Sequence, residues 1–247
     1  HPSTDGHLVM AYLFLKAQGL AGKPVADIRI DGAGKKVTRS DNCRVSDLSV
    51  SSDNLTFTYE AKSLPYPIDT SYYDNEKHTQ ADALSVIPFM DEMNYEGLSV
   101  SGLSDGYYGL TIGGEFIGRF TARELERGIN MALLQNTPQY KQAMKIRQMN
   151  EERWLKERKM REFYWVEYNL MRKTGMLWAC DEAAVDTLRK YRPHDIFLQW
   201  NGDLWLQYMH KGIREDCVNE QQNLVDRIYE QNKPIPLRIE IKKFTDL

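Results

Sequence analysis

A chain of 247 residues is about one and a half times the commonest domain size, so it holds one large domain or two small ones. Its 42% hydrophobic and 27% charged residues are an ordinary globular composition, and 32 basic against 35 acidic residues lack the cationic surplus of a nucleic-acid coat. No apolar run approaches the roughly 20 residues that span a bilayer, and Cys43, Cys180 and Cys217 have neither zinc spacing nor the even number of a disulfide framework.

A first helix is predicted over residues 4–20. Ser3, Thr4 or Asp5 can cap it, Leu8, Tyr12, Leu13 and Leu15 supply its apolar turns, and Gly19 is placed to end it. From Val25 to Phe120 the period changes to two. Ile28 and Ile30 alternate with charged residues before a turn at Asp31-Gly32, and residues 44–51 and 55–61 read as a hairpin across Ser52-Asp53-Asn54. Prolines 65 and 67 keep residues 64–73 out of a central strand, so this Tyr-rich loop is expected on a surface or lining a cleft. Residues 98–103, 107–112 and 116–120 then predict a tight meander with hairpin turns at Asp105-Gly106 and Gly113-Gly114.

Thr121 and Glu124 form a capping box that opens a helix to about Leu134. Thr137-Pro138 opens another, with no breaker before Gly175, so it runs about 37 residues, or roughly 55 Å. Further helices are expected over residues 181–191 and 204–231, and the alternation in residues 237–242 predicts a last strand that returns to the β region. The expected class is α+β, with segments 1–22, 23–120 (antiparallel sheet or sandwich) and 121–247 (helical, with the final strand).

Few residue groups suggest chemistry. Gly102-Leu-Ser104-Asp-Gly106 fits the G-x-S-x-G nucleophile elbow, but that device needs a helix after the serine, and here a strand pattern comes next. Ser104 is therefore read as a turn residue. Gly32-Ala-Gly34-Lys35-Lys36 lacks phosphate-loop spacing and precedes no helix. Asn54-Leu-Thr56 is a glycosylation sequon on a turn. Lys156 to Arg161 belongs to a solvated helix face, and His78, His194 and His210 have no partner at ligand spacing, so no metal and no cofactor is called for.

The first residues are different. His1-Pro2, Gly6-His7 and Met10-Ala11 resemble the last sequence block of the SGNH (GDSL-type) hydrolases, where D-x-x-H-P-x-x-x-G-H carries the catalytic histidine at the start of the final helix of an α/β/α, flavodoxin-like domain. His1 matches that histidine, and the resemblance implies that His7, the family's second histidine, packs or hydrogen-bonds behind the helix start. Leu64-Pro65-Tyr66-Pro67, Asn94 to Leu98, Val100 to Leu103, Gly106 to Ile112, Phe120-Thr121, Glu124-Leu125, Gly128 to Asn130 and Thr137 to Ala143 resemble the region after the catalytic domain in a bacterial subgroup. The likeness covers about residues 1–145. The family's serine, its oxyanion glycine and asparagine, and the acid three residues before the histidine have no counterpart here.

The resemblance implies a secreted or periplasmic ester hydrolase of which this chain is the C-terminal part, inactive by itself, acting on a small-molecule ester or an acylated or acetylated carbohydrate. It implies His1 as the catalytic residue and no cofactor, while the charge balance and the short apolar runs argue for no nucleic-acid partner and no membrane span. The long helices are a candidate surface for a homo-oligomer. The rival reading is a non-catalytic carbohydrate-binding or association module, with Tyr72, Tyr73, Tyr107 and Tyr108 as stacking faces. The opening His-Pro fits a mature terminus, a tag scar or a cut through a longer protein.

Overall fold

The computed structural model describes residues 2–72 and 77–244. The chain forms two compact units, one of His1–Lys145 with Asn232–Leu247 and one of Ile146–Gln231. The last strand belongs to the first unit.

In chain order the first unit contains α1 (Thr4–Ala17), β1 (Ala26–Asp31), β2 (Lys36–Asp41), β3 (Cys43–Val50), β4 (Asn54–Ala61) and the single turn α2 (Phe89–Glu92). It continues with β5 (Glu96–Ser101), β6 (Tyr107–Ile112), β7 (Glu115–Thr121), α3 (Ala122–Arg127) and the two-residue β8 (Ile129–Asn130). The helix α4 (Pro138–Val166) begins in this unit and continues into the second, which also holds α5 (Glu182–Tyr191), α6 (Ile196–Tyr208) and α7 (Lys211–Gln231). The last strand, β9 (Leu237–Lys243), returns to the first unit. The fold is α+β.

Two sheets share one core. The first has the order β2-β1-β5-β8 and the second β3-β4-β9-β6-β7. Ile28, Ile30, Leu98 and Val100 of the first sheet cluster with Leu55, Phe57, Leu110, Ile112, Ile239 and Ile241 of the second. Period two explains the division of faces. Leu237, Ile239 and Ile241 are buried, whereas Arg238, Glu240 and Lys242 alternate with them on the other side of β9. Each fully buried aliphatic side chain contributes about 1.5–3 kcal/mol.

Among the described residues all strand pairings but one are antiparallel; β1 and β5 run parallel from Ala26↔Glu96 to Asp31↔Ser101. This corrects the expected meander. The β6–β7 hairpin turns at Gly113-Gly114, both at positive φ, as the sequence indicates. However, β5 lies in the other sheet, and residues 102–106 cross between the sheets instead of making a hairpin. An alternating pattern tells which face of a strand is buried, not which strand it pairs with.

The helices differ from expectation where backbone signals are local. The Thr121/Glu124 capping box is present, but α3 stops at Arg127 because Gly128 turns the chain at φ +94° instead of running on to Leu134. The long helix ends in a π-helical turn, Glu167–Met171. The single helix expected over 204–231 is two helices, and α6 starts earlier, at Ile196, where the Asp195 carboxylate accepts the Phe197 and Leu198 N–H groups. Along α4, Arg147–Glu151, Arg153–Glu157 and Arg158–Glu162 pair at i,i+4, which makes the charged stretch a solvated face. No helix among the described residues is long and apolar enough to cross a membrane.

The second unit has its own core, built from Phe163, Val166, Leu170, Met171, Ala184, Leu188, Leu198, Trp205 and Cys217. At its centre Glu167, only 1% exposed, accepts the Trp205 indole N–H at 2.8 Å and the Trp178 backbone N–H at 2.9 Å.

Candidate active site

His1 lies outside the described residues, as does Tyr73. The helix that begins just after His1 is described, together with the loop packed against it. In the first turn of α1 the Asp5 carboxylate bonds the Ser3 hydroxyl and accepts the Gly6 N–H at 2.8 Å, with His78 Nδ1 at 3.8 Å. The Ser3 hydroxyl above all, then the Gly6 N–H and His78, hold this carboxyl below the usual aspartate range. The His7 backbone N–H donates to the Ser3 carbonyl at 2.9 Å, but its side chain is exposed and makes no hydrogen bond among the described residues. That corrects the expectation that it packs or bonds behind the helix start.

The inner face of α1 is apolar. Leu8 and Tyr12 cluster with Ile68, Ala83, Ile87, Phe89 and Met90, so residues 64–72 and 80–93 lie against the helix. Tyr12 donates its hydroxyl to Glu92 at 2.7 Å, and Lys16 bonds both. The opposite face is bare: Met10, Leu13 and Phe14 are 57%, 55% and 64% exposed.

The Pro-rich loop is held from several directions. Buried Asn94 accepts the Tyr66 N–H at 2.7 Å and donates to the Tyr66 carbonyl at 2.9 Å. Tyr140 donates its hydroxyl to the Ile68 carbonyl at 2.7 Å. Gln80 accepts the Asp69 N–H and donates to the Tyr66 hydroxyl. Asn130 in turn donates to the carbonyls of Met90 and Asn94 and accepts the Glu96 N–H. A loop whose backbone groups are bonded this way presents a preorganised wall beside the start of α1. The sequence showed these residues as a motif but not their role, because their partners are 11 to 72 positions away.

The neighbour of Tyr140, Gln139, reaches a second buried group. Glu96, fully buried, accepts the Tyr59 hydroxyl at 2.8 Å and the Gln139 side-chain N–H at 3.2 Å. Burial pushes its carboxyl up to about 7, against the opposing effect of those two donors. The unfolded chain releases this proton near 4.5. The native state therefore binds more protons between the two values, and the contribution to stability falls as pH rises from about 4.5 to 7, by on the order of 3 kcal/mol. Gln139 Oε1 is buried without a partner, and an amide at position 96 can donate to it. Glu96→Gln is thus expected to remove this part of the pH dependence. Denaturant midpoints of both proteins from pH 4 to 8 check it; parallel profiles would contradict it.

Ser104 sits on the exposed crossing loop, accepts the Lys243 ammonium at 2.7 Å and has strand β6 after it. It is not on a strand-to-helix elbow. Among the proposed stacking faces, Tyr72 is 69% exposed, Tyr107 lies under the Arg119 guanidinium at 3.8 Å, and Tyr108 is buried, donating its hydroxyl to the Ser104 carbonyl. Tyr108 is therefore no stacking face. Asn54, half-buried, has its Oδ1 buried without a partner. All three cysteines are free thiols. Among the described residues no group of three His, Cys, Asp or Glu is placed to hold a metal ion.

Residues 144–233 match the family model described as the diltiazem deacetylase C-terminal helical domain, a stretch reaching two residues beyond each end of the second unit. More specifically, a solved structure described as a gut microbial diltiazem-metabolizing enzyme is similar to this chain over 99% of its length, with a TM-score of 0.92 and 40% identity. The chain covers 55% of that protein, about half its length. No curated protein matches the sequence.

Proposed function

We propose that this chain is the C-terminal part of an SGNH (GDSL-type) ester hydrolase, a deacetylase, with His1 as its catalytic histidine. The observation that carries the reading is the 40% identity, sustained over 99% of the chain, to a diltiazem-metabolizing enzyme. The deacetylase family match in the second unit supports it independently of the histidine block. Removing an acetyl group from an alcohol oxygen is ester hydrolysis. The bare stripe of Met10, Leu13 and Phe14 on α1, at spacing i, i+3, i+4, suits a helix that another part of the protein covers.

In this reading a serine outside the chain attacks the acyl carbon, and backbone and side-chain donors hold the developing oxyanion. His1 takes the serine proton and returns it to the leaving alcohol; water then releases the acid by the same route. The clamped loop at residues 64–72 is a wall of the acyl or alcohol site. An acetylated carbohydrate is the proposed substrate class, and a secreted or periplasmic location is proposed on the family resemblance.

The experiment compares the 247-residue chain with the complete protein on p-nitrophenyl acetate. Turnover is expected from the complete protein and none from the chain above a histidine-only background, with circular dichroism confirming that the chain is folded. Turnover by the chain that disappears in Ser104→Ala would overturn the reading.

A further inference from the structure

Glu96 is buried with no cation beside its carboxyl. It opens β5 and faces the core with Leu98 and Val100, whereas Asp27 pairs with Arg29 and Arg39 on the opposite face of that sheet. On its own face the groups that act on the carboxyl are the Tyr59 hydroxyl of β4 and the Gln139 carboxamide of α4. The Cys43 thiol of β3 acts on Tyr59 in turn. Among the described residues no lysine, arginine or histidine acts on Glu96.

The hydrogen bonds of this pocket lack a donor. The Gln139 side-chain nitrogen lies 3.2 and 3.4 Å from the two Glu96 oxygens, while Gln139 Oε1 is buried without a partner. An ionised Glu96 only accepts, so it leaves that oxygen unsatisfied in a dry site. A protonated Glu96 carries an O–H that can donate to it. Burial, which raises the carboxyl to about 7, favours the same protonated state.

The neighbours of this pair hold the Pro-rich loop from two sides. Tyr140, next to Gln139 on α4, donates to the Ile68 carbonyl at 2.7 Å. The Glu96 N–H donates to Asn130 of β8, which bonds the Asn94 carbonyl. Asn94 in turn holds Tyr66 by both its N–H and its carbonyl.

We propose that Glu96 is a positioning residue for the wall: protonated, it keeps residues 66–68 clamped, and ionised, it loosens them. A buried carboxylate with nothing to offset its charge displaces Gln139 or admits water. The displacement passes to the adjacent Tyr140 and so to Ile68. The consequence for turnover rests on the hydrolase reading: KM rises as pH passes through about 7, while kcat reports the His1 step.

The first measurement needs no catalysis. It is amide hydrogen exchange of the 247-residue chain at about pH 6 and pH 8, expressed as protection factors, which divide out the intrinsic effect of pH. Protection of residues 66–69 is expected to fall about threefold or more in the parent at the higher pH. It should stay level in Glu96→Gln and be low at both pH values in Tyr140→Phe. A contribution from His78, which faces Asp5, is common to all three proteins. In the complete protein, KM for p-nitrophenyl acetate should follow the same three patterns. Level protection in the parent, an equal fall in parent and Glu96→Gln, or a KM indifferent to pH while the wall loosens would overturn the proposal. No hydrolysis by the complete parent would instead sink the hydrolase reading and leave the exchange measurement to decide the role of Glu96.

Discussion

Trp205→Ala is expected to cost the helical unit about 3–5 kcal/mol, because it opens a cavity where a fully buried indole now packs. The indole N–H also satisfies Glu167 at 2.8 Å, in a core of Phe163, Val166, Leu170 and Leu198. Without it the Glu167 carboxyl keeps the Trp178 N–H and loses one of its two hydrogen bonds in a dry site, where stranding a group costs about 1–3 kcal/mol. Trp205→Phe separates the two effects, since it keeps most of the volume and removes only the donor. The expected order of stability is parent, then Trp205→Phe, then Trp205→Ala, read from denaturant midpoints. A loss under about 1 kcal/mol in Trp205→Ala would show that Glu167 and Trp205 do not organise this core.

Sequence spacing revealed the elements governed by neighbours in the chain. The β3–β4 hairpin forms across Ser52-Asp53-Asn54, and Thr121 and Glu124 bond reciprocally at the start of α3. Both depend on contacts within a few residues. The placement of β5 in the other sheet could not be read, because its partner β1 is some 70 positions away and any strand with one buried face shows the same alternation. Likewise β9 reads as a strand, but only the pairings of Ile239 with Phe57 and Ile112 put it at the centre of its sheet. The early start of α6 turns on the Asp195 cap and its split from α7 on the break after Tyr208, weak signals beside a continuous apolar period.

The candidate site was legible in part for the same reason. The histidine block names residues adjacent in the chain, whereas the wall beside it depends on Asn94, Asn130 and Tyr140 reaching backbone groups far away. Glu96 and Glu167 look like ordinary strand and helix carboxylates. Only the tertiary fold buries them against Tyr59 and Trp205.

The largest effect belongs to His1. In the proposed mechanism His1, as general base, acts when the serine proton leaves and again when the alcohol departs, so His1→Ala would remove an interaction made mainly in the transition state. The loss should appear in kcat far more than in KM, by about 10⁴ or more, as for other members of serine–histidine pairs. His7→Ala should behave as a surface change, within about 0.5 kcal/mol in stability, since the His7 side chain is exposed and makes no hydrogen bond among the described residues.

Steady-state hydrolysis of an acetyl ester by the complete protein and its His1→Ala and His7→Ala variants, with a denaturation midpoint for each, tests the central claim most directly. The account predicts a kcat lower by about 10⁴ in His1→Ala, at an unchanged midpoint, and near-parent kinetics in His7→Ala. Near-parent kcat in His1→Ala, with activity lost in His7→Ala, would contradict it and move the catalytic role to His7.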